Sequence, residues 1–351
     1  MAGIVSDLEV VEIDQVGADR LDPGHPLLEV RDLAVEFRSH SGVVRAVDGI
    51  SYHLAAGETL AVLGESGSGK SVGAQAVMGL IDSPPGFVTR GSISFRGLEL
   101  LRLSERQYQH VRGRRIAMVF QDALSALNPV FSVGDQIAEM YRVHQDISRS
   151  QARLQAIQMM DRVHIPTAAQ RYADYPHQFS GGMRQRIMIA MALALDPDVL
   201  IADEPTTALD VTVQAQIMDL LAELQRDNGM GLILITHDLG VVADVADRVT
   251  VMYAGRVVET AAVGDLYARP AHPYTEGLIA SIPRLDVHHQ ELHPIEGSPP
   301  NLARVPTGCS FHPRCPRARD RCAVDNPPLY DVAVGRGSAC HYWAEVLSDH
   351  G

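Results

Sequence analysis

The sequence predicts an α/β fold built on a parallel sheet, and three observations predict it. Leu60–Leu63, Val199–Ala202 and Leu232–Thr236 are short apolar runs without the alternation of a one-sided sheet, the pattern of strands buried on both faces. Each run ends directly in a polar element: Gly64–Ser71, Asp203-Glu204 and His237 respectively. Ligands of open α/β sheets bind outside the carboxyl ends of the strands, so three separate strands deliver their polar ends to one edge. At 351 residues the chain has room for one large domain and a smaller appendage, or for two domains.

Taken in order, residues 1–26 carry Asp7, Glu9, Glu12, Asp14, Asp19 and Asp22 against a single Arg20 before Pro23, Gly24 and Pro26. This composition predicts a solvated, disordered acidic lead-in. No basic stretch followed by an apolar core opens the sequence, so no secretory signal is expected. Leu28, Val30, Leu33, Val35 and Phe37 stand between polar neighbours and predict a strand over 27–37, with further strand structure over 43–54. Gly64-Glu65-Ser66-Gly67-Ser68-Gly69-Lys70-Ser71 fits the G-x-x-x-x-G-K-[ST] phosphate loop, after a strand and before a helix expected over 71–80. Such a loop turns its backbone N–H groups onto an anion at a helix N-terminus. Lys70 is placed to neutralise the β- and γ-phosphates of a nucleotide and Ser71 to ligate Mg²⁺.

The apolar run Ile116–Phe120 ends in Gln121. Residues 122–178 then interrupt the α/β pattern: Asn128-Pro129 is followed by stretches of helical spacing over 133–143 and 150–163, which read as a helical insertion. Ser180-Gly181-Gly182 precedes a long apolar helix expected over 183–195, a second helix N-terminus with unhindered N–H groups suited to a γ-phosphate. Its run Ile187–Leu195 is far short of the roughly 20 apolar residues that span a bilayer. Asp203 and Glu204 are strand neighbours that point opposite ways, so the two carboxylates can serve different targets. Downstream of a phosphate loop, Asp203 is expected to hold Mg²⁺ through its water shell and Glu204 to polarise the attacking water as general base, against the alternative of two helix-capping acids before Pro205. From about His272 the composition changes to many prolines, with His288, His289, His293 and all four cysteines, Cys309, Cys315, Cys322 and Cys340. The formal net charge of −13 argues against nucleic acid as a partner.

In this order Gly64–Ser71, Gln121, Phe179-Ser180-Gly181-Gly182-Met183-Arg184-Gln185, Asp203-Glu204, Ala208-Leu209-Asp210 and His237 resemble the six motifs of an ATP-binding-cassette (ABC) ATPase over roughly 27–265. The resemblance implies an ABC nucleotide-binding domain, a P-loop NTPase core with antiparallel β and helical subdomains, the helical one at about 122–178. It makes Gln121 the Q-loop glutamine that senses Mg²⁺ and the γ-phosphate. His237 becomes the switch histidine on the γ-phosphate, against the alternative of a buried structural His. Phe37 matches the A-loop aromatic that stacks on adenine, although a plain core residue of the strand fits it as well. Ser180, Gly181 and Gly182 form the signature that covers the nucleotide of another cassette, and Asp210 belongs to the D-loop at that seam. One chain holds one copy of each, so a second ATPase subunit, identical or related, is implied. Phe179 and Met183 stand where the family usually has Leu and Gln, a departure that leaves the phosphate contacts of Ser180 and the glycine backbone in place.

His272-Pro273-Tyr274-Thr275, Gly297-Ser298-Pro299-Pro300 and Pro306–Pro316 narrow the resemblance to oligopeptide and dipeptide importer ATPases and make 266–351 a small C-terminal Cys-rich extension. Its cysteine spacing, C-x5-C-x6-C-x17-C, lacks the short chelates common in zinc sites. Spacing and resemblance together favour a [4Fe–4S] cluster, with Zn²⁺ or reduced free thiols as alternatives. The family implies ATP hydrolysis at a cassette pair on the cytoplasmic face of the cell membrane. That reaction drives peptide uptake through two permease subunits fed by an extracytoplasmic peptide-binding protein. A nickel or other small-solute importer is the alternative within the subfamily. A non-transport ATPase acting on DNA or ribosomes is the alternative outside it. The short interval between the phosphate motifs, without heptads or cysteines, and the single cassette speak against that last reading.

Overall fold

The computed structural model describes residues 26–40, 42–207, 209–281 and 294–350. The acidic lead-in up to residue 25, Ala208 of the D-loop, and His288, His289 and His293 lie outside the described residues. In chain order the strands are β1 (Leu28–Ser39), β2 (Gly42–Leu54), β3 (Thr59–Leu63), β4 (Gly86–Phe95), β5 (Leu98–Glu99), β6 (Ile116–Val119), β7 (Val199–Asp203), β8 (Gly231–Thr236), β9 (Arg248–Tyr253), β10 (Arg256–Ala262), β11 (Tyr330–Ala333) and β12 (Arg336–Ser338). Two compact units divide them. Among the described residues no helix is long and apolar enough to cross a membrane.

The first unit contains Leu54–Glu58 and Ser94–Leu234. Its β6 and β7 run parallel, Ile116 opposite Val199 through Val119 opposite Ala202, and every residue of both strands is buried. Such two-sided burial is what an unbroken apolar run encodes. Around them lie the helices Ala123–Ala126, Val133–His144, Arg149–Arg162, Ala168–Arg171, Gly181–Leu193 and Val211–Asn228. Val133–His144 starts where its helical spacing suggests, whereas Arg149–Arg162 and Gly181–Leu193 begin one and two residues early, because the cap and not the first apolar residue sets the start. Ser148 and Gln151 form a reciprocal capping box for Arg149–Arg162, and the Ser180 hydroxyl accepts from the Met183 N–H for Gly181–Leu193. The box satisfies two backbone donors and the single cap one, donors that the helix itself leaves open.

The second unit contains Glu29–His53, Thr59–Ile93 and the chain from Ile235 onward. One sheet sets β2, β1 and β4 side by side in that order; a second runs β11-β12-β10-β9-β3. Strand β3 pairs parallel with β9, Leu60 opposite Arg248 through Leu63 opposite Val251. Strand β10 pairs antiparallel with β9 on one side and with β12 on the other. The helix after the phosphate loop spans Lys70–Val77, shorter than the run to Leu80, because Gly79 turns the chain with φ 61.

The C-terminal segment, expected as an appendage, is continuous with this unit. It adds β12 and β11 to the edge of the sheet, and its Tyr274 and Phe311 share one buried cluster with Leu63, Val251 and Tyr253. Buried Glu259 on β10 accepts from the Ala271 and His272 N–H groups at 2.7 and 3.0 Å and lies 3.5 Å from Arg336 of β12. Burial nevertheless holds its carboxyl above the usual range. His272 is 1% exposed, and its Nδ1 accepts from the Tyr274 N–H at 3.0 Å, which caps the helix Pro273–Ala280. Burial pushes its pKa down to about 3, so the fold holds a neutral ring.

An unfolded histidine titrates near 6.5. The contribution is therefore complete above that pH and is lost as pH falls from 6.5 towards 3, by about 1.4 kcal/mol per pH unit. Urea unfolding at pH 7 and pH 5 is expected to show about 2 kcal/mol more acid loss in the native protein than in His272→Asn, which keeps an acceptor but does not titrate. Equal losses in the two proteins would remove His272 as the cause.

Candidate functional site

In the second unit, β3 delivers the chain to Gly64 and the loop to Ser71. Gly69 caps the following helix with φ 99, and a Cβ there would meet the Ala46 carbonyl oxygen at 2.2 Å. Only glycine permits both the left-handed backbone and that approach. The Gly255 N–H donates to the Ser68 carbonyl at 2.9 Å, which holds the loop from the β9–β10 turn. Lys70 is 6% exposed; its Nζ donates to the carbonyls of Gly64 and Glu65 at 2.7 and 3.0 Å. Ser68 Oγ is buried without a partner. A buried hydroxyl left without a partner in a glycine-rich loop fits a guest that can accept its hydrogen bond. Ser66 and Gly67 at the tip are exposed, and Ser71 opens the helix beside Lys70, half-buried.

His237, one residue past β8, is exposed, so the alternative of a buried structural histidine does not hold. The Thr236 hydroxyl accepts from the Asp238 N–H at 3.0 Å, and Asp238 caps the helix Leu239–Val245. Phe37 is half-buried on β1, beside Gly86, where an added Cβ would lie 3.0 Å from its ring.

In the first unit Asp203 closes β7 and is 5% exposed. Glu204 departs from the expected alternation: its φ is 45, so it leaves the strand in a left-handed conformation rare outside glycine. Its direction is thus set by the turn and not by the pleat, a strained backbone of the kind that functional sites hold. Gln121 Nε2 donates to Glu204 Oε2 at 3.0 Å, bringing together two residues 83 positions apart. Thr207 Oγ1 donates to the same oxygen at 2.9 Å. Sequence reasoning missed Thr207; a hydroxyl three residues after the acid across a turn was its only local signal.

Ser180 and Gly181 are exposed at the head of their helix. A Cβ on Gly182 would lie 2.5 Å from Val213 Cγ1, so this glycine also lets two helix starts approach. Asp210 caps Val211–Asn228, its Oδ1 accepting from the Val213 N–H at 3.0 Å, and is exposed. Gly64–Ser71, Phe37 and His237 thus belong to one unit, and Gln121, Ser180–Gly182, Asp203, Glu204 and Asp210 to the other.

Cys309, Cys315, Cys322 and Cys340 are free thiols that all line one cavity of about 20 Å³, with Phe311 and His312. That is room for about one water. Burial pushes the thiol of Cys315 up to about 12 and that of Cys340 to about 11, so both are neutral. Among the described residues no group of three or more His, Cys, Asp or Glu side chains is arranged to hold a metal ion. The four thiols of the expected [4Fe–4S] or Zn²⁺ site therefore converge on one small cavity without the arrangement of a formed metal site.

Residues 47–207 match the ABC transporter family, and residues 258–322 match the oligopeptide/dipeptide transporter C-terminal region. The chain is 51% identical over 308 residues to the oligopeptide transport ATP-binding protein OppD of Bacillus subtilis (strain 168), covering 88% of this chain and 86% of that protein. To the dipeptide transport ATP-binding protein DppD of the same organism it is 52% identical, with 84% and 88% covered. To OppD of Salmonella typhimurium (strain LT2) it is 49% identical, with 96% and 100% covered. Among solved structures, it resembles the dimeric bacterial ABC transporter cassette MJ0796 with a TM-score of 0.61 at 25% identity, over 67% of this chain and 98% of that one. It resembles cbiO1 from Clostridium perfringens, part of the ABC transporter complex cbiONQ, with a TM-score of 0.59 at 29% identity, over 69% and 91%.

Proposed function

The chain belongs to the ATP-binding subunits of oligopeptide and dipeptide ABC transporters, and from that membership we propose that it hydrolyses ATP to energise peptide uptake through membrane permease subunits. One observation carries the reading: an ABC region over 47–207 and an oligopeptide/dipeptide transporter region over 258–322 stand in a single chain. Neither nickel nor nucleic acid is favoured by these relatives.

The backbone of Gly64–Gly69 and the Lys70 ammonium hold the β- and γ-phosphates, and Phe37 meets the adenine. Ser71, Gln121 and Asp203 hold Mg²⁺, which supplies charge neutralisation on the phosphates when bound. Glu204 takes the proton of the attacking water. The two donors on its Oε2, Gln121 and Thr207, support that role by fixing the orientation of the carboxylate. His237, exposed at its strand end, contacts the γ-phosphate. Exposed Ser180 and Gly181, with Gly182, cover the nucleotide of a second ATPase subunit, with Asp210 at the seam; closure of the pair pulls on two permease subunits through the helices of 122–178. The protein thereby sits peripherally on the cytoplasmic face of the membrane, and an extracytoplasmic peptide-binding protein supplies the solute.

The four-thiol pocket of the C-terminal extension is the proposed site of an iron–sulfur cluster. Its support is the convergence of Cys309, Cys315, Cys322 and Cys340 on one cavity; it requires the pocket to open and the thiols to ionise.

Anaerobic detergent extraction tests both readings at once. Recovery with permease subunits, and ATP hydrolysis stimulated by peptide-loaded binding protein, are expected. Recovery with ribosomes or DNA instead would overturn the transport assignment. The same preparation should carry about four iron and four sulfide per chain; a colourless, iron-free protein removes the cluster.

A further inference from the structure

Glu65, inside the phosphate loop, is gripped by a residue 249 positions away. Arg314 donates from Nη1 to Glu65 Oε2 at 2.7 Å and from Nη2 to Oε1 at 3.0 Å, a two-pronged pair of the strong, geometrically specific kind. The Arg314 side chain is 6% exposed and that of Glu65 27%. Arg314 Nη1 also reaches Tyr253 Oη at 3.3 Å, and its Nε donates to the Glu296 carbonyl at 3.0 Å. The Glu65 N–H in turn donates to Tyr274 Oη at 3.0 Å. Both the backbone and the carboxylate of one loop residue are therefore held by the chain after β8.

That hold has a rigid base. The rings of Tyr253, Tyr274 and Phe311 pack mutually, with centroids 4.7 to 5.3 Å apart. Phe311 and Arg314 both lie between Cys309 and Cys315, so the loop that lines the thiol pocket also carries the clamp. Two physical consequences meet at Glu65. Its carbonyl accepts from Lys70 Nζ, so fixing this peptide fixes an anchor of the lysine. Its carboxylate is the only acidic side chain from Gly64 to Ser71, and uncompensated it would repel a polyphosphate at close range.

We propose that Arg314 is a positioning residue for the phosphate loop: its pair with Glu65 holds the loop in its anion-receiving shape and cancels the loop's one negative charge, so the C-terminal segment sets the affinity for MgATP. The proposal rests on the reading of Gly64–Ser71 as an ATP site. It requires no metal or thiol chemistry, only the pairing of two side chains.

The test is equilibrium binding of MgATP, with steady-state KM and kcat, on the full chain and three variants. Arg314→Gln is expected to weaken MgATP binding about tenfold, with the effect falling on KM more than on kcat. Adding Glu65→Gln to it should restore most of that loss, because the uncompensated carboxylate is gone; a residue that merely supported the fold would show no such recovery. Arg314→Lys keeps the charge but not the two-pronged geometry, and an affinity between native and Arg314→Gln is expected. It also serves should Arg314→Gln fold poorly. Native affinity in both Arg314 variants, or a double variant no tighter than Arg314→Gln, overturns the clamp. Failure of the native protein to bind MgATP would overturn the ATP site itself, a separate result.

Discussion

Glu204→Gln is expected to lower ATP turnover by about 10²–10⁴-fold, the usual contribution of a positioned general base, while MgATP still binds. The substitution is close to a pure removal of basicity. Glutamine has the same length and still offers an oxygen to Gln121 Nε2 and Thr207 Oγ1, which now reach Glu204 Oε2 at 3.0 and 2.9 Å. The backbone strain at φ 45 is common to both side chains, so the turn after β7 has no new reason to move. Single-turnover hydrolysis and MgATP binding, measured on the same preparation, separate chemistry from affinity. Turnover within a few-fold of native would take Glu204 out of the role of base.

Lys70→Ala is expected to weaken MgATP binding by about 10–100-fold, the scale of losing a charge-assisted hydrogen bond of roughly 1.5–3 kcal/mol. Lys70 is 6% exposed, and its ammonium is held by the Gly64 and Glu65 carbonyls. The charge is therefore fixed over the loop and need not be gathered from solvent when phosphate arrives, which is how preorganised charge acts in catalytic sites. Lys70→Arg should not restore binding, because a planar guanidinium cannot take the place of a compact ammonium between two carbonyls. Thermal unfolding with and without MgATP provides the check: the native protein gains stability with ligand as RT ln(1 + [L]/Kd), and the variant should gain much less at the same concentration. An unchanged ligand-induced shift would sink the assignment.

The buried strands were legible because burial on both faces demands an unbroken apolar run, and β6, β7 and β8 are buried at every residue. The start of Arg149–Arg162 was misjudged because its first turn is polar and is fixed by the Ser148–Gln151 box. The direction of Glu204 was misread because period-two alternation ends where the chain leaves the strand, and no local pattern marks a left-handed glutamate. The C-terminal segment looked separable on composition. Yet its β12 pairs with β10, and Phe311 and Tyr274 enter the cluster around Leu63 and Val251, contacts that composition does not record.

The sequence by itself determined the phosphate-loop motif, the order of the motifs and the four-cysteine spacing, because each depends on residues that are neighbours or nearly so. Tertiary structure alone decided which distant groups act on those motifs. It set Gln121 and Thr207 on one oxygen of Glu204 and Arg314 on both oxygens of Glu65. It also drew four thiols round a cavity of about 20 Å³. Contacts across tens or hundreds of residues are set by how strands and side chains pack, and one-dimensional spacing carries no term for that.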